Sequence, residues 1–165
     1  MSLQIVLGDQ LFPRKFYKDG PKDIFMCEDF DLCTHFKYHK HKIIFFLASM
    51  RHFRDELQDM GKKVYYQKLE KGQDFFGRLK QVVKKTKTKE LRIYEIDDKF
   101  FYEKIKSFCE EHNLELRIDN SPKFLTSNQE FNVFVRDHKR PLMRTFYEGK
   151  RKELEILMNK NGKPE

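Results

Sequence analysis

The feature that most constrains this chain is an alternation. Short, near-continuous apolar runs recur, and most are followed by a longer segment whose apolar residues repeat at helical spacing. "LQIVL" (3–7), "DIFMCE" (23–28), "KVYYQKL" (63–69), "ELRIYEI" (90–96) and "LELRI" (114–118) read as strands. Strands apolar on both faces belong in a parallel sheet covered on both sides. Ile43, Phe46, Leu47, Met50, Phe53, Leu57 and Met60 fall on one helix face, which predicts a helix over about 37–60 stopped by Gly61. Phe75, Phe76, Leu79, Val82 and Val83 predict a second helix, in which Gly77 costs about 1 kcal/mol against Ala. Phe101, Ile105, Phe108 and Cys109 predict a third, behind Asp97 and Asp98 at its cap.

The gap over 8–22 is long enough for a parallel crossover. The fifth run alternates in polarity, which places it at a sheet edge. The fold expected is therefore α/β, a doubly wound five-stranded parallel sheet with extra C-terminal helices. Ser127 is placed to cap a helix over 128–138, and a last helix is expected over 142–158 before a polar tail at 159–165 that looks frayed. Two domains follow: an α/β domain over 1–126 and C-terminal helices over 127–165.

A length of 165 residues suits one sizeable core. The excess of 34 Lys and Arg over 26 Asp and Glu gives a net charge of +8. That charge is compatible with nucleic acid or anionic ligands, and equally with a solvated Lys-rich surface. Basic charge alone does not show DNA binding, because a reader of bases also needs a groove-reading element. The longest apolar run, "IIFFLA", is far short of a membrane span. The N-terminus has no charged region before its apolar run, so it is not a signal peptide. Cys27, Cys33 and Cys109 form no C-x-x-C, which argues against a disulfide framework or a zinc site. The cytoplasm is the expected location.

Ligands of doubly wound sheets bind past the carboxyl ends of the strands, at the switch point. In this chain that edge holds Gly8, Asp9, Gln10 and Leu11, residues 28–36, and residues 95–98. Asp9 and Gln10 either hydrogen-bond a ribityl or ribose hydroxyl chain, or Asp9 caps the turn that follows. No Gly-x-Gly-x-x-Gly supports a standard dinucleotide site. His35 and His39 are four apart, but helix onset separates them and a third ligand is lacking. His41 and His52 are about 16 Å apart along the helix, too far for one ion. Arg51 with Asp55, and His52 with Glu56, form i,i+4 pairs on a solvated face; the alternative is docking or a phosphate. Phe45, Phe75, Phe76, Phe100, Phe101 and Phe108 fall mostly in the core by their spacing, with stacking on a flat ring as the alternative for one of them. Glu95, Asp97 and Asp98 read as capping rather than as a catalytic carboxylate pair. No Ser/His/Asp or Cys/His arrangement stands out.

Three segments in register carry a resemblance: "IVLGDQL", "YHKHKIIFFLASMRHFRDEL", and "FLTSNQEF" with "LMRTFYEGKRKELEILMNKNG". Together they resemble the N-terminal domain of the deoxyribodipyrimidine photolyase-related proteins, the bacterial cryptochromes and (6-4) photolyases that carry an iron–sulfur cluster. The resemblance implies an antenna domain that is not catalytic alone. It implies a helical FAD-binding domain of the same protein as partner, with FAD and the iron–sulfur cluster in that missing region, and DNA reached through the full-length protein. A full-length relative would be a light-dependent DNA repair enzyme, a deoxyribodipyrimidine photolyase-type lyase, or a photoreceptor flavoprotein. In the family this domain can hold 6,7-dimethyl-8-ribityllumazine. The matching positions are Gly8, Asp9, Gln10, Leu11, Cys27 and Glu28. The pattern departs at Leu32 and His35, where many relatives have a Glu and a Tyr. It departs again at Tyr38, the first His of a H-H-K motif, and at Phe46, a smaller aliphatic position. Losing the acid removes a charge-assisted contact of about 1.5–3 kcal/mol, and a Phe in an aliphatic site fills space. The alternative from another class is a stand-alone basic module that binds nucleic acid.

Overall fold

A computed structural model describes residues 1–159 and Gly162. The tail expected to fray lies, apart from Asn159 and Gly162, outside the described residues. The chain divides into two compact units, Met1–Asn120 and Ser121–Glu165.

In the first unit the five apolar runs form β1 (Ser2–Ile5), β2 (Asp23–Cys27), β3 (Lys63–Gln67), β4 (Glu90–Tyr94) and β5 (Glu115–Asp119). All pair in parallel, in the order β3-β2-β1-β4-β5. The doubly wound expectation holds, and the polar-alternating β5 lies at an edge. The helices are α1 (Phe30–Thr34), α2 (Lys40–Asp59), α3 (Phe75–Thr86) and α4 (Lys99–Glu111). The chain runs from β1 out to β2 and β3, then returns past β1 to β4 and β5. The sheet therefore changes hand between β1 and β4.

Two cores cover the two faces. On one, Leu3, Ile5, Phe25, Leu91 and Ile93 meet Leu79 and Val82 of α3 and Ile105 and Phe108 of α4. On the other, Val6, Ile24, Met26 and Tyr94 meet Met50, Phe53 and Leu57 of α2. Each α-helix of this unit starts where a side chain satisfies its bare N–H groups. Asp74 accepts from Gly77 N at 2.7 Å, and Asp98 accepts from Phe101 N at 3.0 Å.

Sequence spacing misjudged three features of this unit. The segment 28–36 contains α1, capped by Asp29 through Asp31 N at 2.8 Å. The long helix starts at Lys40 rather than about residue 37. Phe45 and Phe100, expected in the core, are 76% and 81% exposed. Phe45 adjoins the inward positions of α2 without sharing their face. Phe100 stands on the outer side of the first turn of α4.

The β1–β2 crossover is not a helix beyond one 3-10 turn at Arg14–Phe16. Aromatic packing replaces helical hydrogen bonding there. Tyr17 packs edge-on against Phe53 and Tyr94, with centroids 5.5 and 5.6 Å apart. Its hydroxyl donates to Gln10 O at 2.5 Å, and Tyr94 donates to Phe16 O at 2.6 Å. Burial pushes the Tyr17 phenol far above its ordinary value, so it remains a donor. From the start of β3's approach, Lys62 Nζ donates to Lys18 O, Gly20 O and Pro21 O at 3.0, 2.8 and 3.2 Å.

In the second unit Ser127 caps α5 (Asn128–Asp137) with a reciprocal capping box to Glu130. The last helix, α6 (Met143–Glu153), is shorter than the 142–158 expected. Glu155 and Leu157 take positive φ of 53° and 50°, and Arg151 turns back to donate to Ile156 O and Leu157 O. Those turn contacts end the helix despite the apolar spacing of Leu154 and Leu157.

Lys62 yields a direct test. Lys62→Met strands three carbonyls that the ammonium holds together. It should lower unfolding free energy by about 1–3 kcal/mol. The expected signature is a lower urea midpoint at an unchanged m value; an unmoved midpoint would refute the role.

Candidate functional site

The carboxyl edge of the sheet is built from the turn after β1, the end of β2 with α1, the first turns of α2, and the end of β4. A turn closed by Gln10 N to Leu7 O at 2.9 Å carries Gly8 and Asp9. Gly8 is not among the residues with positive φ. It is glycine because of a close approach. A Cβ there would lie 2.2 Å from Phe46 Cζ, 2.9 Å from Phe46 Cε1 and 3.0 Å from Met50 Sδ. The crossover helix α2 begins at this edge, which brings the Phe46 ring onto the Gly8 backbone.

Gln10 fills the switch point itself. Its side chain is fully buried, and Nε2 donates to Tyr94 O and Glu95 O, both at 3.1 Å. Those two carbonyls fix which end of the amide is nitrogen. The other end, Oε1, is buried without a hydrogen bond. Leu11 is half-buried and joins the α2-side core, while Asp9 is exposed at the turn.

Glu28 is the most strongly held group at this edge. Its side chain is wholly buried. It accepts from Arg51 Nε at 2.7 Å and Arg51 Nη2 at 3.0 Å, from the Tyr66 hydroxyl at 2.5 Å, and from Leu69 N at 2.7 Å. Burial alone would push the carboxyl up. The hydrogen bonds from Arg51, Tyr66 and Leu69, with the Arg51 charge, outweigh it and hold the group below 4.5. The expected Arg51–Asp55 pair does not form: Arg51 crosses to Glu28, and Asp55 pairs with Arg54 at 2.6 Å. A buried carboxylate needs a partner more than an exposed Asp55 does. The expected His52–Glu56 pair is present at 3.4 Å.

The remaining positions read from sequence do not converge on Gly8 and Gln10. Cys27 faces the opposite core, beside Arg78 Nη1 at 4.0 Å, and burial pushes its thiol up to about 11. Leu32 is exposed on α1. His35 caps the end of α1 and meets the Phe36 ring, centroids 4.5 Å apart. His39 instead caps the start of α2, accepting from His41 N at 3.3 Å. Among the described residues no group of three or more His, Cys, Asp and Glu is placed to hold a metal, and no helix is long and apolar enough to cross a membrane.

Sequence reasoning missed Arg51 and Tyr66 as partners of Glu28. One signal was present: an acid directly after an apolar strand must be answered, and Arg51 lies one helical turn past the inward-facing Leu47. It also missed Arg78, a buried cation that donates to Lys68 O at 2.5 Å and Gln73 Oε1 at 3.0 Å.

Two predictions follow from this geometry. Glu28's depressed folded pKa means its stabilisation is present above the unfolded carboxylate value of 4.5 and is lost as pH falls through the lower folded value. Glu28→Gln should therefore cost about 1–3 kcal/mol at neutral pH, and the gap to wild type should narrow in acid, as pH falls below 4.5. Urea titrations at neutral and acid pH check this; a gap independent of pH would contradict it. Separately, Gly8→Ala should destabilise the wild type but be tolerated beside Phe46→Ala. The double-mutant cycle should return a coupling of about 1–3 kcal/mol, and zero coupling would show that the ring does not press on Gly8.

The family of deoxyribodipyrimidine photo-lyase-related proteins matches residues 4–165. The chain is also similar to a (6-4) photolyase of Agrobacterium fabrum (strain C58 / ATCC 33970), 27% identical over 165 residues. The match takes in 96% of this chain and 32% of that relative, so the chain spans about a third of the relative's length. With the family match running along almost all of its length, the chain belongs to the deoxyribodipyrimidine photo-lyase-related protein family.

Proposed function

We propose that this chain serves as the N-terminal, antenna-type α/β domain of a photolyase-related flavoprotein and is not catalytic alone. The observation that carries the reading is the family match over 4–165 in a chain spanning 32% of its relative. Chemistry in this reading belongs to a helical FAD-binding domain of the same protein, which also bears the contact with DNA. The titratable groups of the edge support it. Glu28, Arg51 and Tyr66 saturate one another, which leaves no poised acid, base or nucleophile among them.

The second unit supports a docking role. Leu125, Leu142, Met143 and Leu157 are exposed. Beside α6 lies a groove of about 580 Å³ walled by Leu125, Met143, Tyr147, Leu154 and Ile156. An apolar surface of this kind marks an interaction site, and in this reading the helical domain covers it. The net charge of +8 carries no separate nucleic-acid reading, because basic charge without a groove-reading element does not show DNA binding.

The residues at the edge do not fit a ribityl-lumazine. Phe46 already lies on Gly8, and the one buried carboxylate, Glu28, has its acceptor positions filled from within. The domain reading therefore stands on fold and family rather than on an antenna pigment.

The test compares this chain with the complete product of its gene. The complete product should carry FAD and show light-dependent flavin reduction. The 165-residue chain should carry no flavin and repair no ultraviolet-damaged DNA. Stoichiometric flavin or repair activity in the short chain would overturn the reading, as would a complete product without flavin.

A further inference from the structure

Three observations meet at the carboxyl end of β1. The first is the contact between Gly8 and Phe46, close enough that not even a methyl group fits between them. The second is where Phe46 is anchored. It sits in the second turn of α2, half-buried, packed against the core of Val6, Ile24, Met26, Met50 and Phe53. The third is the state of the polar groups at the same edge. Glu28 is saturated, and Gln10 is fully enclosed while its Nε2 spans two carbonyls of the β4 end.

A sheet of this topology takes a flat ligand at its switch point, where a glycine turn lets a ring approach the backbone. We infer that Phe46 is an internal occupant of that crevice: its ring takes the place of a ligand ring on Gly8 and closes the domain to planar heteroaromatic ligands. The residue that decides ring binding at this edge is thus on the crossover helix, not on the glycine turn. The closure stands on the geometry of the α/β unit; the antenna reading supplies only the ligand to try.

Closure by a side chain has a definite consequence. A phenyl ring anchored to the core competes from within the same molecule, so a dissolved ring must displace it and lose the packing it makes. Removing the ring leaves an apolar hollow of aromatic size, and such hollows take up flat ligands. The buried Gln10 Oε1 has no hydrogen bond. It therefore favours a ring bearing N–H or hydroxyl donors once the edge is open.

The experiment titrates the purified chain, Phe46→Ala and Phe46→Val with 6,7-dimethyl-8-ribityllumazine, following the quenching and polarisation of ligand fluorescence and checking by equilibrium dialysis. Wild type should show no saturable binding. The Phe46→Ala chain should show saturable binding. Phe46→Val, which retains more of the core packing, should gain in the same direction. Leu57→Ala is the control, because it opens a cavity about three turns along the same helix in the same core, away from the edge. It should gain nothing. Saturable binding by wild type would overturn the closure, and so would folded Phe46 variants that gain no binding. Circular dichroism establishes folding in each case. The flavin content of the complete gene product, which decides the domain reading, plays no part in these outcomes.

Discussion

The Glu28 carboxylate ties the edge of this protein together. Three elements converge on it: the end of β2 carries it, α2 supplies Arg51, and β3 with the turn beyond supplies Tyr66 and the Leu69 N–H. A buried charge is costly unless every acceptor position is answered. Here the answer also fixes the tilt of α2 over the sheet. Arg51 reaches from the partly exposed side, so its own desolvation cost is small. The fork geometry of Arg against a carboxylate sets direction as well as distance. With α2 held by this clasp at Arg51 and by core packing at Met50, Phe53 and Leu57, Phe46 has little freedom over where its ring goes.

That constraint explains why Gly8 must be glycine here. In many turns glycine serves a positive φ, as it does at Gly61 with φ 78°. At Gly8 the reason is distance alone, since the ring of Phe46 occupies the volume of a side chain. The same residue type thus marks two unlike physical demands a few tens of residues apart, and sequence by itself does not separate them.

The sheet was legible because its signal is local. Five apolar runs, spaced by helical patterns, leave a parallel, doubly wound arrangement as the economical solution, and caps such as Asp98 and Ser127 mark helix starts within one turn. The edge was only partly legible because its contacts are long-range. Glu28 meets Arg51 across 23 residues and Tyr66 across 38. Helical spacing proposed Asp55 for Arg51, a weak exposed pair, where the fold offered a buried acid instead. Periodicity also placed Phe45 and Phe100 inside, because aromatic character suggests burial even where the helix face does not. The reading of Phe46 as a filler of space came from the resemblance, in which that helix position is a smaller aliphatic residue, together with side-chain volume.

A domain that lacks its ligand normally carries a penalty at the crevice, in the form of exposed apolar walls or unanswered polar groups. This edge carries little of the polar part of that penalty. Its carboxylate is satisfied from within, its glycine platform is covered by an aromatic ring, and the switch point is bridged by the Gln10 amide. Among the described residues one buried side-chain atom, Gln10 Oε1, is left without a hydrogen bond, and Leu32, Phe36, Ile44 and Phe45 leave apolar surface exposed from α1 to the start of α2. Both cores close around the sheet with side chains from its own helices. The second unit has the complementary character, with aliphatic side chains turned outward around a groove.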